Sequence, residues 1–440
     1  MKRLPKPPPS TNTNNYLLPF SLVLTVLTLL FLAGGLFRSS PTRSTMTTSA
    51  TDLASQVNHL ASLLLPEPSA SSPSTFLSAY GVVHALSMLI PGAGPSTPSH
   101  TALLSTLYGH KDEAAAQRAI KDLSISLQNI LEEANAAFLA RSLQIQASYR
   151  SVLEEGYAAE VHLLDSADKV NGWVAEKTHD RITSIIDDSC AAQADLVLIN
   201  AIYFKANWEH EFDPRDTYEM PFVRLDGSSV PAQMMYMKFE KTGTTFMSGW
   251  EFETGDGESV SPCVAARLRY SGGRVSAVFA MPKDVGGDMN TGATDMISYM
   301  KRLTSCQEAV LHRRPAWRAV DKRAGGYQTG KVFLPRFEVE IEHGLTSVLK
   351  ERLGLASIFR PGDFTRIGDT SLAVSDVKQK VYVKVDEKGT EAAAVTAVIA
   401  LRMMPIGPVD ELFIKLDKPF YFGIVDEASG VHVFSGVVSL

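Results

Sequence analysis

The chain has 440 residues, 45% hydrophobic and 20% charged, so it is an ordinary globular composition long enough for one large domain. Its formal net charge is −6; the first 45 residues hold Lys2, Arg3, Lys6, Arg38 and Arg43 and no acid, which leaves about −11 (−6 − 5) on the remainder. An acidic body argues against nucleic acid as the main partner. Cys190, Cys263 and Cys306 are far apart and odd in number. They imply neither a disulfide framework nor a metal site and read as small, inert residues.

Residues 1–45 form a separate unit. Lys2, Arg3 and Lys6 precede an uncharged run that is apolar from Leu17 to Phe37. A basic start followed by such a run is either a secretory signal or an uncleaved anchor, and both readings place the body in the secretory pathway, extracellular or lumenal. Contact with a membrane is expected only through residues 17–37. Ser39 to Ala50 is a Ser/Thr-rich linker.

The folded body is expected over 46–440. D-L-A-S-Q-V-N-H-L-A-S-L-L-L (Asp52 to Leu65) has helical spacing. F-L-S-A-Y-G-V-V-H-A-L-S-M-L-I (Phe76 to Ile90) follows a Pro/Ser linker, and His84 within it reads as a satisfied core histidine. Asp112 to Glu133 reads as a helix, Ala136 to Gln146 as a strand and Tyr149 to Tyr157 as a helix. Leu196 to Trp208, L-V-L-I-N-A-I-Y-F-K-A-N-W, opens with consecutive apolar residues that mark a strand buried on both faces. Asn200 then lies deep in a sheet and must find partners. Met234 and Met235, and Ala265 to Met281, read as further strands. Cys306 to Gly330 reads as a connection carrying Arg313, Arg314, Trp317, Arg318, Lys322 and Arg323. A polyanion at 313–323 could bind there; a solvated surface insertion is the preferred reading. Lys331 to Glu340 is K-V-F-L-P-R-F-E-V-E, and a hairpin of Phe420 to Val425 and Val431 to Val438 ends the chain.

The most informative stretch is Glu387 to Met404, E-K-G-T-E-A-A-A-V-T-A-V-I-A-L-R-M-M. Past Glu391 it carries no charge until Arg402, and it contains no proline. In an extended strand Thr390, Ala392, Ala394, Thr396 and Val398 share one small, uncharged face. Such a strand can enter a sheet interior, because it brings no unpaired charge and keeps every N–H. Its alanines would also suit a buried helix. The flanks favour the strand: V-Y-V-K-V alternates before it, and D-K-P-F-Y-F follows.

Together these segments resemble the serpins. V-D-E-K-G-T-E-A-A-A-x-T-A-V, then D-K-P-F-x-F, is similar to the family's hinge and C-terminal signature. The resemblance extends to N-x-W-V at Asn171 to Val174, to L-V-L-I-N-A-I-Y-F-K-A-N-W and to L-P-R-F at Leu334 to Phe337. It implies an α+β fold: a single serpin-like domain with a large central β-sheet, two smaller sheets, surrounding helices and an exposed reactive-centre loop at about 387–416. It also implies that Ser78, Asn200 and Gln379 belong to a hydrogen-bonded cluster under the opening of the main sheet. Trp208 would sit where the loop enters, and Arg336 would pair with Glu387. The family commonly has histidine where this chain has Gln379, so the cluster is expected to lose any pH dependence.

The implied activity is irreversible, suicide-substrate inhibition of serine endopeptidases. The protease cleaves the loop, becomes acyl-linked to it and is trapped as the loop inserts into the sheet. Glu387, Gly389, Thr390, Glu391, Ala392, Ala393 and Ala394 form the hinge. The family's usual spacing puts the reactive bond at Met403–Met404, which suits an elastase-like or chymotrypsin-like target. A shift of one residue makes Arg402 the bait for a trypsin-like one. Cysteine proteases are an alternative target, and a non-inhibitory carrier or chaperone an alternative role. No G-x-S-x-G, H-E-x-x-H or nucleotide fingerprint is present, so no catalysis, cofactor or metal is expected. A monomer is expected.

Overall fold

A computed structural model describes residues 48–69, 74–109, 112–128, 130–239, 247–254, 261–283, 292–312, 317–319, 329–368, 372–390 and 411–440. The expectations for residues 1–45 lie outside the described residues. No helix among the described residues is long and apolar enough to cross a membrane.

The first half of the body supplies most of the helices and the central sheet. In chain order it runs α1 (Thr48–Leu64), β1 (Thr75–Leu77), α2 (Ala79–Ser87), α3 (Pro98–Tyr108), α4 (Glu113–Leu127), β2 (Glu132–Ala140), α5 (Ala147–Tyr157), β3 (Ala159–Leu164), α6 (Ala167–Lys177), α7 (Asp188–Gln193), β4 (Leu196–Tyr203) and β5 (Ala206–Asn207). Next come β6 (Thr217–Val223), β7 (Ser229–Phe239), β8 (Met247–Thr254), β9 (Ser261–Arg269), β10 (Val275–Pro282), α8 (Gly292–His312), β11 (Arg318–Ala319), β12 (Thr329–Pro335), β13 (Phe337–Gly344) and α9 (Thr346–Glu351). The chain closes with β14 (Asp376–Val385), β15 (Gly389–Thr390), β16 (Glu411–Lys415), β17 (Phe420–Asp426) and β18 (His432–Val438).

Three sheets result. One is ordered β1-β18-β17-β10-β9-β8-β11 and a second β16-β12-β7-β6. The central sheet is ordered β3-β2-β4-β14-β15-β5, with β13 on the other side of β14. All eight residues of β4 are buried, as its apolar run requires. Helix α2 packs on β4 and β18. Ser78 caps α2 by accepting a hydrogen bond from the Gly81 amide at 3.1 Å.

Four expectations are corrected here. The helix expected to Glu133 stops at Leu127, and the strand expected from Ala136 to Gln146 spans Glu132 to Ala140. E-E-A-N-A-A is rich in helix formers, but its backbone pairs with β4 from Glu132↔Tyr203 to Ala136↔Ile199, and sheet pairing overrides local propensity. The connection expected from Cys306 begins later, because α8 continues to His312. Cys263 and Cys306 are joined in a disulfide between β9 and α8, with Cα atoms 6.0 Å apart, so they are not free, inert residues. Forty-three residues separate them, and only the packing of α8 on the sheet brings them together. Cys190 is a free thiol, and burial raises its pKa.

Candidate functional site

The strands β4 and β14 run parallel and pair from Asp376↔Val197 to Val381↔Ile202. Beyond that point they diverge. Val385 of β14 pairs with Thr390, and Thr390 pairs on its other side with Ala206 of β5. The two-residue strand β15 therefore fills the top of a wedge between the two central strands. A Cβ on Gly389 would collide with the Ala206 carbonyl oxygen, so only glycine allows this approach.

The hinge is held on every side. Glu387, 5% exposed, accepts hydrogen bonds from Arg336 Nε at 2.7 and 2.9 Å and from the Thr217 hydroxyl at 2.5 Å. Burial pushes its carboxyl pKa up, but these donors outweigh it and hold the group below its usual range. The Phe212 amide donates to the Glu387 carbonyl at 2.7 Å, and the Trp208 amide to the Lys388 carbonyl at 2.6 Å. The Trp208 indole donates to the Asp386 carbonyl at 3.0 Å. That indole stacks on Tyr270, centroids 4.5 Å apart and 10° from parallel. The Tyr270 hydroxyl meets the Thr390 hydroxyl at 2.7 Å, and Thr390 is fully buried.

Lower down, a row of polar side chains crosses four strands. Register aligns Asn135 of β2 with Asn200 of β4, Asn200 with Gln379 of β14, and Gln379 with His343 of β13. Gln379 Oε1 accepts from the Ser78 amide at 2.8 Å. Its Nε2 donates to the Ser78 carbonyl at 3.0 Å and to Asn200 Oδ1 at 3.2 Å. Asn200 Nδ2 donates to Asn135 Oδ1 at 2.8 Å and to Glu133 Oε1 at 3.2 Å. A Cβ on Gly81 would collide with the Asn200 amide oxygen, so the glycine makes room for this cluster.

Titratable groups stand at both ends of the row that holds Gln379. His343 Nε2 contacts the Phe76 carbonyl at 2.9 Å, and burial lowers its pKa. At the other end His84 Nδ1 lies 2.8 Å from Glu133 Oε1, and the Tyr80 hydroxyl donates to Glu133 Oε2 at 2.7 Å. Burial raises the Glu133 carboxyl pKa, and His84, Asn135 and Tyr80 more than offset it, leaving it lowered.

The structure thus brings together Ser78, Asn200 and Gln379 in one cluster, and Trp208, Arg336, Glu387, Gly389 and Thr390 in another. Glu391, Ala392, Ala393, Ala394, Arg402, Met403 and Met404 lie outside the described residues. The reactive-centre loop expected at 387–416 is shorter at its far end, because Glu411–Lys415 pairs in parallel with β12 as strand β16. Sequence reasoning missed Tyr270, Thr217, Phe212, Glu133 and Asn135. Each is recruited from another strand or its flanking loop and carries no spacing signal.

A family profile described as "Serpin (serine protease inhibitor)" matches residues 55–440. The chain is a serpin. Iripin-3 of Ixodes ricinus is 30% identical over 399 residues, covering 87% of this chain and 93% of the relative. Serpin B6 of Pongo abelii is 29% identical over 381 residues, covering 83% and 93%. Among solved structures, the thermophilic serpin Tengpin in its native state superposes with a TM-score of 0.71 at 21% identity, over 89% of this chain and 94% of that one. That likeness shows the serpin fold, and family membership associates the chain with protease inhibition in general.

Proposed function

We propose that this serpin is a suicide-substrate inhibitor of serine endopeptidases whose cleaved loop inserts between β4 and β14. One observation carries the reading: Thr390 is already paired with both Val385 and Ala206 at the mouth of the wedge. A strand begun there needs only to continue downward, and the residues that follow, Glu391 and then Ala392 to Val398, bring no charge beyond Glu391 and no proline. Insertion would separate Gln379 from Asn200, so that hydrogen bond acts as the latch. The intact form is kinetically trapped above an inserted, more stable one, and its working stability is a rate.

The reactive bond in this reading is Met403–Met404, with Arg402 as the neighbouring alternative. Residues 387–410 are the bait, Trp208 and Tyr270 guide its entry, and Arg336 anchors Glu387. The Cys263–Cys306 disulfide supports an oxidising, secretory location, with residues 17–37 as signal or anchor. The test is incubation of the purified chain with pancreatic elastase, chymotrypsin and trypsin. An SDS-resistant complex supports inhibition, and sequencing of the released C-terminal peptide gives the bond. Cleavage with no complex would favour a non-inhibitory carrier or chaperone.

A further inference from the structure

Two separate pairings fix the register of any strand that continues from β15 into the wedge. On one side Thr390 pairs antiparallel with Val385, and Gln379 stands six residues before Val385 on β14. On the other side Thr390 pairs antiparallel with Ala206, and Asn200 stands six residues before Ala206. In antiparallel pairing each step forward on one strand is a step back on its partner. The sixth residue after Thr390 therefore faces Gln379 and Asn200 together, and that residue is Thr396. The two counts agree because Gln379 and Asn200 already pair with each other. Residues level with one another across a sheet project to the same face, so an inserting Thr396 side chain would enter between the two amides.

We infer that Thr396 is a positioning residue that relocks the sheet: its hydroxyl takes the place of the Gln379–Asn200 hydrogen bond that insertion breaks. The inference rests on the inhibitory reading above and assigns passage of the latch to one side chain. Gln379 and Asn200 are 1% and 2% exposed. Gln379 Nε2 directs one hydrogen to the Ser78 carbonyl and the other to Asn200 Oδ1, at 3.2 Å. Asn200 Nδ2 directs its two to Asn135 Oδ1 and Glu133 Oε1. Parting the strands orphans one N–H of Gln379 and the Asn200 Oδ1 acceptor, both away from water, and such groups are costly to leave unmet. A hydroxyl both accepts and donates, so one group placed between them answers both. Gln379 Nε2–H would donate to Thr396 Oγ1, and the Thr396 O–H to Asn200 Oδ1. From Ala392 to Leu401, Thr396 is the one residue whose side chain carries a polar atom, so no neighbour in the run could serve.

The test compares the full chain with Thr396→Val, which keeps the shape and loses the hydroxyl, and Thr396→Ser, which keeps the hydroxyl. Each is incubated with whichever of pancreatic elastase, chymotrypsin and trypsin forms the SDS-resistant complex with the parent. Thr396→Val should lower the ratio of complex to cleaved chain about tenfold, and Thr396→Ser should stay within about twofold of the parent. All three intact proteins should melt alike, because the latch of the intact form is the direct amide bond. A second measurement needs no trapping. Each chain is nicked beyond Ile399 and unfolded in guanidinium, and the nicked Thr396→Val form should unfold about tenfold faster than nicked Thr396→Ser. Valine is the better strand former than serine, so a loss confined to Thr396→Val traces to the hydroxyl. A Thr396→Val chain that traps as well as the parent, or valine and serine variants equally impaired, overturns the inference. A parent that forms no complex with any of the three defeats the inhibitory reading; nicked valine and serine variants that unfold at equal rates overturn this inference separately.

Discussion

The Tyr270 hydroxyl lies 2.7 Å from the Thr390 hydroxyl, inside the wedge where the two central strands part. This bond ties the last residue of β15 to the residue that follows strand β9 of a different sheet. The Trp208 ring stacked on Tyr270 closes the same corner. The described hinge residues, Glu387 to Thr390, are thus seated rather than loose, in groups that would also receive an inserting strand.

Thr390→Arg is the sharpest perturbation of that seat. An arginine at a fully buried position would carry a charge into the sheet, at a cost of several kcal/mol unless paired. The hinge should stay outside, and the variant should be cleaved by the target protease without forming a complex. The check is the ratio of complex to cleaved product on a denaturing gel. Tyr270→Phe is milder: it removes one net hydrogen bond, about 1 kcal/mol, and should shift the ratio in the same direction by a smaller amount.

The Arg336–Glu387 pair predicts a pH profile. The Glu387 carboxyl is held below its ordinary value, so the pair's contribution is complete above the unfolded value of about 4.3 and is lost as pH falls through the lower folded value. Fluorescence of Trp208, whose indole donates to Asp386 beside the pair, should be flat from pH 8 to 5. It should change only in stronger acid. Arg336→Ala should show the acid-like signal already at pH 7, with a stability loss of about 1 kcal/mol because the guanidinium is partly solvated.

His432 predicts a broader acid effect. It is buried, its Nδ1 is 2.7 Å from the Tyr421 hydroxyl, and burial, then the nearby His312, lowers its pKa to about 3. The unfolded value is about 6.5, so between these limits the unfolded chain binds the extra proton. Stability should therefore fall as pH drops from 6.5 toward 3, by up to about 1.4 kcal/mol per unit. Unfolding rates measured across this window should flatten in His432→Gln relative to the parent.

The disulfide predicts a redox effect on stability. Closing a loop of 43 residues is worth about 4 kcal/mol in the chain-entropy picture. Cys306→Ser, or reduction of the parent, should lower the melting temperature clearly, and thiol labelling of the unreduced, denatured parent should find only Cys190. Equal melting with and without reductant would show that the bond does not form.

Much of this was legible in the sequence where the signal is local. E-K-G-T followed by alanines, the buried run of β4 and L-P-R-F each speak within a dozen residues, and through their resemblance to the serpins they pointed to Glu387, Thr390, Asn200 and Arg336. What escaped depends on register between distant strands. Nothing around Tyr270 hints that its hydroxyl faces Thr390, 120 residues away. The neighbours of Gln379 were hidden for the same reason: His343 and Glu133 arrive beside the cluster by pairing across the sheet. Cys263 and Cys306 looked inert because spacing alone cannot show a helix packed on a sheet. Glu132 and Glu133 looked helical because composition outvoted the unseen partner strand.

The stored-energy account is tested most directly by nicking the chain within residues 391–410 with a protease that it does not trap, then comparing melting temperatures of nicked and intact protein. The account predicts that the nicked form melts roughly 10 °C or more above the intact one, because the freed segment completes the sheet between β4 and β14. A nicked form that melts at or below the intact temperature would contradict it.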